Sequence, residues 1–393
     1  MAALGLYLHI PFCQTKCAYC DFAVVVGRNR RQADYVAALT AEIVGWGAAL
    51  GRPTVETIYL GGGTPSLLPP DRIAALLEAC RAAFDLVPEA EVSLEANPGT
   101  VDRTALREAR AAGVTRLSLG VQTFDDSQLR ELGRRHSADD ARRAVEEARR
   151  AGFDNLSLDL LSGVPGQDLA SWRRTLGEAI ALEPEHLSTY GLTIEPATEF
   201  GRRLRRGTLA PIDQDLSADF YEASDADLGA AGYRRYEIAN FARPGYECRH
   251  NLGYWRNQRF LGLGMGAHSS MVVARFANHG RLNAYLAGMA GWEGPRLTDP
   301  AVPEATGPIA WVERLGHATQ LAETVILGLR LTDGVDLGEF AARFGERAEE
   351  RWAETIADLE ELGLLRVEGG ALRLSARGRL LGDEVFTRFL LER

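Results

Sequence analysis

The chain has 393 residues, 46% of them hydrophobic and 25% charged, which is ordinary for a globular protein with a full-sized core. Its 44 basic and 54 acidic side chains leave a formal net charge of −10, which argues against a broad nucleic-acid-binding surface. No apolar run approaches the roughly 20 residues of a membrane span, and the N-terminus has no signal-peptide pattern, so a reducing cytoplasmic setting is expected.

Strand-like and helix-like segments alternate from the start. Leu4 to Ile10 is a short apolar run, and Gln32 to Leu50 has helical periodicity. Thr54 to Leu60 reads as a strand. Asp71 to Phe84 reads as a helix with Asp71 as its candidate cap. The pattern continues with strands at Glu91 to Ala96, Arg116 to Val121, Asn155 to Leu161 and His186 to Leu192. Helices are expected between them at Asp102 to Ala112, Ser137 to Ala151 and Leu169 to Leu182. About six βα units imply an α/β fold: a parallel sheet with helices outside, as an open, partial (β/α)6 barrel. Sites in such barrels gather at the carboxyl ends of the strands.

The motifs fall at those ends. After the first strand, Cys13, Cys17 and Cys20 stand at a C-x3-C-x2-C spacing. Thiolates bind iron–sulfur clusters, and a [4Fe–4S] cube takes four ligands, so three leave one iron open to a small molecule. A zinc site with His9 as fourth ligand is an alternative. A disulfide suits five cysteines without a secretion signal poorly. The second strand runs into Gly61-Gly62-Gly63-Thr64-Pro65, where a backbone can approach a ligand closely. Glu95, Gln122, Arg134 and Asp159 follow on or after the next strands. Each suits an ordinary cap or ion pair; together they favour a polar ligand across the mouth. Lys16, on the cysteine loop, is the sole lysine, which fits a composition biased towards arginine.

Further on, Arg202 to Arg206 is a basic cluster, a solvated surface or a site for propionate or phosphate groups. Gln214 to Ala231 is helical and stops at Gly232, and Tyr233 to Phe241 is strand-like. Cys248 to Trp255 packs a thiol, an imidazole, an amide and two aromatics into one short stretch. Histidine ligates heme iron and aromatics offer it flat surface, but a structural loop whose Trp packs on the barrel fits as well. Leu261 to His268 reads as a glycine-rich strand. Residues 1–290 thus read as the core and the proline-rich residues 291–317 as a linker. Residues 318–393 read as a small α+β domain: helices at Ala318 to Leu329, Leu337 to Phe344, Ala348 to Leu362 and Arg379 to Leu391, with a hairpin around Gly369-Gly370. This winged-helix-like domain has ten Arg against fifteen Asp plus Glu, a poor phosphate binder, so packing or partner docking is expected of it.

The words from Tyr7 to His268 resemble the radical S-adenosylmethionine (SAM) superfamily, and within it the oxygen-independent coproporphyrinogen oxidase group; the C-terminal domain resembles that group too. The resemblance implies that Cys13, Cys17 and Cys20 hold a [4Fe–4S] cluster. It places Tyr7, Tyr19, Gly62, Gly63, Thr64, Glu95, Gln122, Arg134 and Asp159 at SAM-contact positions. Coproporphyrinogen dehydrogenases in this group carry a longer N-terminal extension and a fourth Cys two residues past the trio. Here that position is Phe22, and the sequence begins shortly before the first strand. His250-Asn251-Leu252-Gly253-Tyr254-Trp255 is similar to the H-N-x-x-Y-W signature of the group's heme chaperone branch. That branch implies heme bound through His250, Asn251, Tyr254 and Trp255, and delivery to heme-requiring respiratory proteins with at most peripheral membrane association. Oxidative decarboxylation of coproporphyrinogen III, or radical chemistry on an unrelated substrate, are the competing expectations.

Overall fold

The computed structural model describes residues 4–299 and 302–390. Six strands build the first half: β1 (Leu4–Ile10), β2 (Thr54–Gly62), β3 (Asp85–Ala96), β4 (Arg116–Gln122), β5 (Leu156–Ser162) and β6 (His186–Gly191). They lie side by side in chain order and pair in parallel throughout. Helices α1 (Gln32–Ala49), α2 (Pro70–Ala83), α3 (Arg103–Ala111), α4 (Asp126–Glu131), α5 (Ala138–Arg150) and α6 (Leu169–Ala181) make the crossovers. α2 starts at Pro70 with Pro69 as its cap residue, so Asp71 lies in the first turn rather than at the cap. Proline suits that start because its missing N–H would be unpaired there anyway. α5 begins at a capping box: Ser137 Oγ accepts from the Asp140 N–H, and Asp140 Oδ2 accepts from the Ser137 N–H.

Side chains alternate across each strand. Leu4, Leu6, Leu8 and Ile10 of β1, and Leu156, Leu158 and Leu160 of β5, face the helices and enter the main apolar core with Leu39, Trp46, Leu76 and Trp172. The opposite parity, Gly5-Tyr7-His9 and Ser157-Asp159-Leu161, faces inward. Tyr59, Glu95, Ser118, Asp159 and Tyr190, from five successive strands, line one cavity, so the sheet curls into a partial barrel around a polar interior.

The sheet is wider than six strands. After α7 (Glu199–Arg205) and α8 (Gln214–Ala230), β7 (Arg234–Arg235) and β8 (Asn240–Ala242) continue it antiparallel beyond β6. A short helix, α9 (Arg249–Trp255), stands where a loop was expected. β9 (Phe260–Leu263) then pairs in parallel with the free side of β1. β10 (His268–Ser270), β11 (Ala274–Asn278) and β12 (Ile309–Arg314) complete a twelve-stranded sheet. The expected linker is therefore partly core. β12 pairs with β11 from Ala274 to Asn278, and ahead of it Pro303 sits in a short antiparallel pair, opposite Leu297.

The C-terminal domain has its own core, with Leu321, Val325, Phe340, Trp352, Ile356, Leu372 and Phe386 buried together. Its three-stranded sheet comprises Val335–Asp336, Leu365–Glu368 and Ala371–Leu374, with the last strand central. The helix expected from Ala348 to Leu362 is broken at Trp352 into two pieces, and the closing helix is Gly382–Leu390. Among the described residues no helix is long and apolar enough to cross a membrane.

Candidate functional site

A cavity of about 770 Å³ opens at the carboxyl ends of the strands. Cys13, Cys17, Tyr19, Cys20, Gly62, Gly63, Thr64, Glu95, Gln122, Arg134 and Asp159 all line it. Tyr7 does not; its hydroxyl lies 3.0 Å from His9 Nδ1 and its ring stacks on Tyr59.

The cysteine loop leaves β1 after Ile10, and all three thiols are partly exposed. Burial pushes the Cys13 and Cys20 thiols above their ordinary value, so these sulfurs favour the proton until a metal displaces it. Arg134 Nη1 donates to Cys17 Sγ at 3.6 Å, and Thr64 Oγ1 lies 3.7 Å from Cys13 Sγ. Among the described residues no three Cys, His, Asp or Glu side chains converge as around a single ion. A cube offers each thiolate a separate iron corner, so three spread thiols on one loop, with a cation beside one of them, suit a cluster better than a lone metal. The zinc alternative fits badly. His9 Nε2 lies 2.8 Å from the Ala23 carbonyl, and its other nitrogen faces Tyr7, so neither is offered to the thiols.

The glycine strip runs against the cysteine loop. Gly62 has φ of +113°, and a Cβ on Gly63 would come within 2.7 Å of the Pro11 carbonyl carbon. The strip is tied to β3: Glu95 Oε2 accepts from the Gly62 N–H at 3.0 Å, and Oε1 accepts from the Tyr59 hydroxyl at 2.9 Å. Burial, and then the neighbouring Asp159, raise the Glu95 carboxyl to about 7. Asp159 accepts hydroxyl hydrogens from Ser188 at 2.9 Å and Ser118 at 3.1 Å, and burial raises it too. Two partly buried carboxylates on the cavity wall, with Arg116 near them but no cation at hydrogen-bond distance, make a place that favours positive charge.

On β4 a bulge places Gln122 at φ +68°, uncommon for a residue with a side chain and a mark of local strain. Arg134 donates to the Gly120 carbonyl at 2.6 Å and to Asn97 Oδ1, while Asn97 Nδ2 donates to Thr64 Oγ1 at 3.0 Å. A Cβ on Gly120 would come 3.0 Å from Asn97 Oδ1 and 3.1 Å from Gln122 Nε2. Asn97 is thus the hub that joins Arg134 to the glycine strip. Tyr59, Ser118 and Ser188 were not singled out from the sequence. Their signal was strand parity, since each lies an even number of residues from a singled-out inward position on the same strand or pairs across to one.

The signature helix is elsewhere. α9 packs at the amino ends of the strands, where Glu91 accepts the Arg249 and His250 N–H groups at 3.0 and 3.1 Å. His250 is 3% exposed, with Nδ1 2.8 Å from Thr57 Oγ1 and Nε2 2.8 Å from the Tyr254 hydroxyl. Burial, with Arg116 nearby, lowers its proton affinity to about 3, so the ring is neutral and both nitrogens are occupied. Trp255 faces the C-terminal domain, with the Arg330 guanidinium 4.7 Å above its ring, and Asn251 is half-buried on the same helix. The structure therefore does not bring the four expected heme-contact residues to the cavity. Of the basic cluster, Arg202 pairs with Glu199 and Arg203 with Glu131, and none of Arg202 to Arg206 lines the cavity.

Comparison with known proteins agrees with this architecture. Residues 7–179 match the radical SAM superfamily, and residues 315–381 match the HemN C-terminal domain. A protein of Mycobacterium tuberculosis named heme chaperone HemW is 42% identical over 98% of this chain and 94% of its own length. A Bacillus subtilis protein of the same name is 36% identical over 98% and 99%. The solved structure of coproporphyrinogen III oxidase (HemN) from Escherichia coli, a radical SAM enzyme, superposes with a TM-score of 0.83 at 26% identity, covering 98% of this chain and 90% of that one. Identity of this extent over nearly the full length of both chains, through barrel and C-terminal domain alike, places the chain in the HemW family of the radical SAM superfamily.

Proposed function

We propose that this protein is a heme chaperone that binds heme and passes it to heme-requiring respiratory proteins, on a barrel that holds a [4Fe–4S] cluster and SAM. The observation that carries this reading is the end-to-end similarity to relatives named heme chaperone, at up to 42% identity. Cys13, Cys17 and Cys20 would hold the cluster. Gly62, Gly63, Thr64, Glu95, Gln122, Arg134 and Asp159 would hold SAM, with Tyr19 beside them. When bound, the cluster and SAM supply one-electron chemistry. The chain's own residues bind and orient: the glycine strip offers backbone groups, and Glu95 and Asp159 offer negative charge to a cationic ligand. Arg134 braces the thiol loop through Cys17.

Heme is assigned to the mouth of the cavity rather than to α9. Phe22 is 62% exposed there, and Val24, Tyr190, Lys16 and Arg135 line the same opening. Apolar faces flanked by cations suit a macrocycle with two propionates. Iron ligation by His250 would first require that one of its two bonds, to Thr57 or to Tyr254, break. Anaerobic reconstitution, followed by heme titration and a decarboxylase assay in parallel, tests the reading. Heme spectra that shift on addition of protein, with no vinyl product, are expected. Turnover of coproporphyrinogen III would establish the competing activity instead.

A further inference from the structure

The sealed helix α9 has no part in the site described so far, nor has the polar column beneath the cavity. We propose that α9 is the floor of the barrel and that His250 is a positioning residue, which holds Tyr59 and through it Glu95 and the Gly62 strip. This rests on the cavity being the SAM site.

The path is short and each link is a contact. The His250 ring stacks on Tyr59, with centroids 5.2 Å apart and planes at 26°. Thr57 and Tyr254 occupy its two nitrogens, so the ring cannot turn without losing both. The Tyr59 hydroxyl donates to Glu95 Oε1 at 2.9 Å, and Glu95 Oε2 takes the Gly62 N–H at 3.0 Å. A rotation of His250 therefore frees Tyr59, and a free Tyr59 releases one oxygen of the carboxylate that fixes the glycine strip. Packing leaves no slack in this path, because a Cβ on Gly5 would come 3.1 Å from Thr57 Oγ1 and 3.3 Å from His250 Cε1.

A second path starts from the same segment. The Cys248 N–H donates to the Tyr236 hydroxyl at 3.3 Å, which sits 2.8 Å from His186 Nε2. His186 Nδ1 is 2.8 Å from Ser157 Oγ, and Ser157 reaches Asp159 Oδ1 at 3.4 Å. The segment is pinned by Glu91, which takes two of its backbone N–H groups and lies 3.5 Å from Cys248 Sγ. Both cavity carboxylates are thus braced from below by one stretch of chain. Outer partners of this kind set the orientation of the groups that touch a ligand, and their removal costs about 10-fold or more in affinity.

SAM affinity decides it, read from the change SAM causes in the paramagnetic signal of the reduced cluster. His250→Ala should weaken SAM about 10-fold while the iron content stays at the wild-type level. His250→Phe keeps a ring against Tyr59 but loses both nitrogen contacts, so it should restore only part of that loss. Tyr59→Phe removes only the hydroxyl link to Glu95 and should weaken SAM in the same direction, which keeps the test alive if the His250 variants fold poorly. Heme titration of the His250 variants should match the wild type. Wild-type affinity in both His250→Ala and Tyr59→Phe overturns the positioning role and leaves the cofactor reading standing. A wild-type protein whose signal ignores SAM overturns the cofactor reading, and this inference with it. Heme binding lost in both His250 variants with SAM affinity intact would return α9 to heme and overturn the floor.

Discussion

At the mouth of the barrel, Cys13, Cys17 and Cys20 are partly exposed, and Glu95 and Asp159 sit in a cavity without a cation at hydrogen-bond distance. At the floor, Cys248 is fully buried, Glu91 is saturated by backbone donors, and both nitrogens of His250 are spoken for. Both ends use thiols, carboxylates, phenols and imidazoles. They differ in what those groups lack. At the floor Glu91, His250 and Tyr254 are paired within the chain, while at the mouth the carboxylates take only hydroxyl and backbone donors and the one guanidinium in reach, Arg134, touches a single thiol. A dense cluster of reactive residue types therefore says little by itself; the partners left for a ligand decide.

The cysteines give the sharpest contrast. Cys17→Ala should abolish the broad iron–sulfur absorbance, because it removes one of the three proposed cluster ligands. Cys248→Ala should leave that absorbance intact and lower stability by about 1–2 kcal/mol, measured by denaturant melts. A full cluster in Cys17→Ala, or a lost one in Cys248→Ala, would break the distinction between the two ends.

Acid and base should then pull the two ends in opposite directions. His250 is held neutral, with its value lowered from 6.5 to about 3, so the folded state binds fewer protons than the unfolded state between those limits. Its contribution is present above pH 6.5 and is lost as pH falls through about 3. Glu95 is raised from 4.5 to about 7, so its contribution is present below pH 4.5 and is lost as pH rises through about 7. Each slope should be on the order of a few kcal/mol at most. Thermal melts across pH should show the acid-side loss flattened in His250→Phe and the loss towards neutral pH flattened in Glu95→Gln. If Glu95→Gln left the profile unchanged, the mouth would be no more frustrated than the floor.

The parallel alternation of strands was legible in the sequence because β-branched and leucine-rich runs alternate with long helical periods, and the outward leucines of β1 and β5 carried it. The cysteine trio, the glycine strip and Glu95, Gln122, Arg134 and Asp159 were legible as cavity residues because each is an odd residue type on or after a strand. Three things were not. The short strands β7 to β12 are two to six residues long, too short for period two to register against turns. β12 lay hidden among prolines. The direction in which α9 faces depends on Glu91 and Thr57, about 160 and 193 positions away, so no local pattern could reveal it. Composition drew attention to His250, and tertiary contact removed it from the cavity.

The smallest effect concerns how Asp159 is kept. Ser188 and Ser118 donate to it at 2.9 and 3.1 Å, and Ser157 at 3.4 Å. Ser188→Ala deletes the shortest of these bonds and leaves the charged oxygen with weaker company. A hydrogen bond to a charged group is worth about 1.5–3 kcal/mol and one to a neutral group about 0.5–1.5 kcal/mol. The loss on mutation should therefore be larger at pH 8 than at pH 4, since burial raises the Asp159 carboxyl and acid favours its protonated form. Saturating SAM should narrow the gap between wild type and Ser188→Ala at pH 8, since a cationic ligand then stabilises the carboxylate in place of the serine. A gap that is equal at both pH values and indifferent to SAM would mean that Asp159 belongs with the satisfied groups of the floor, and the boundary between the two regions would move up the barrel by one layer of side chains.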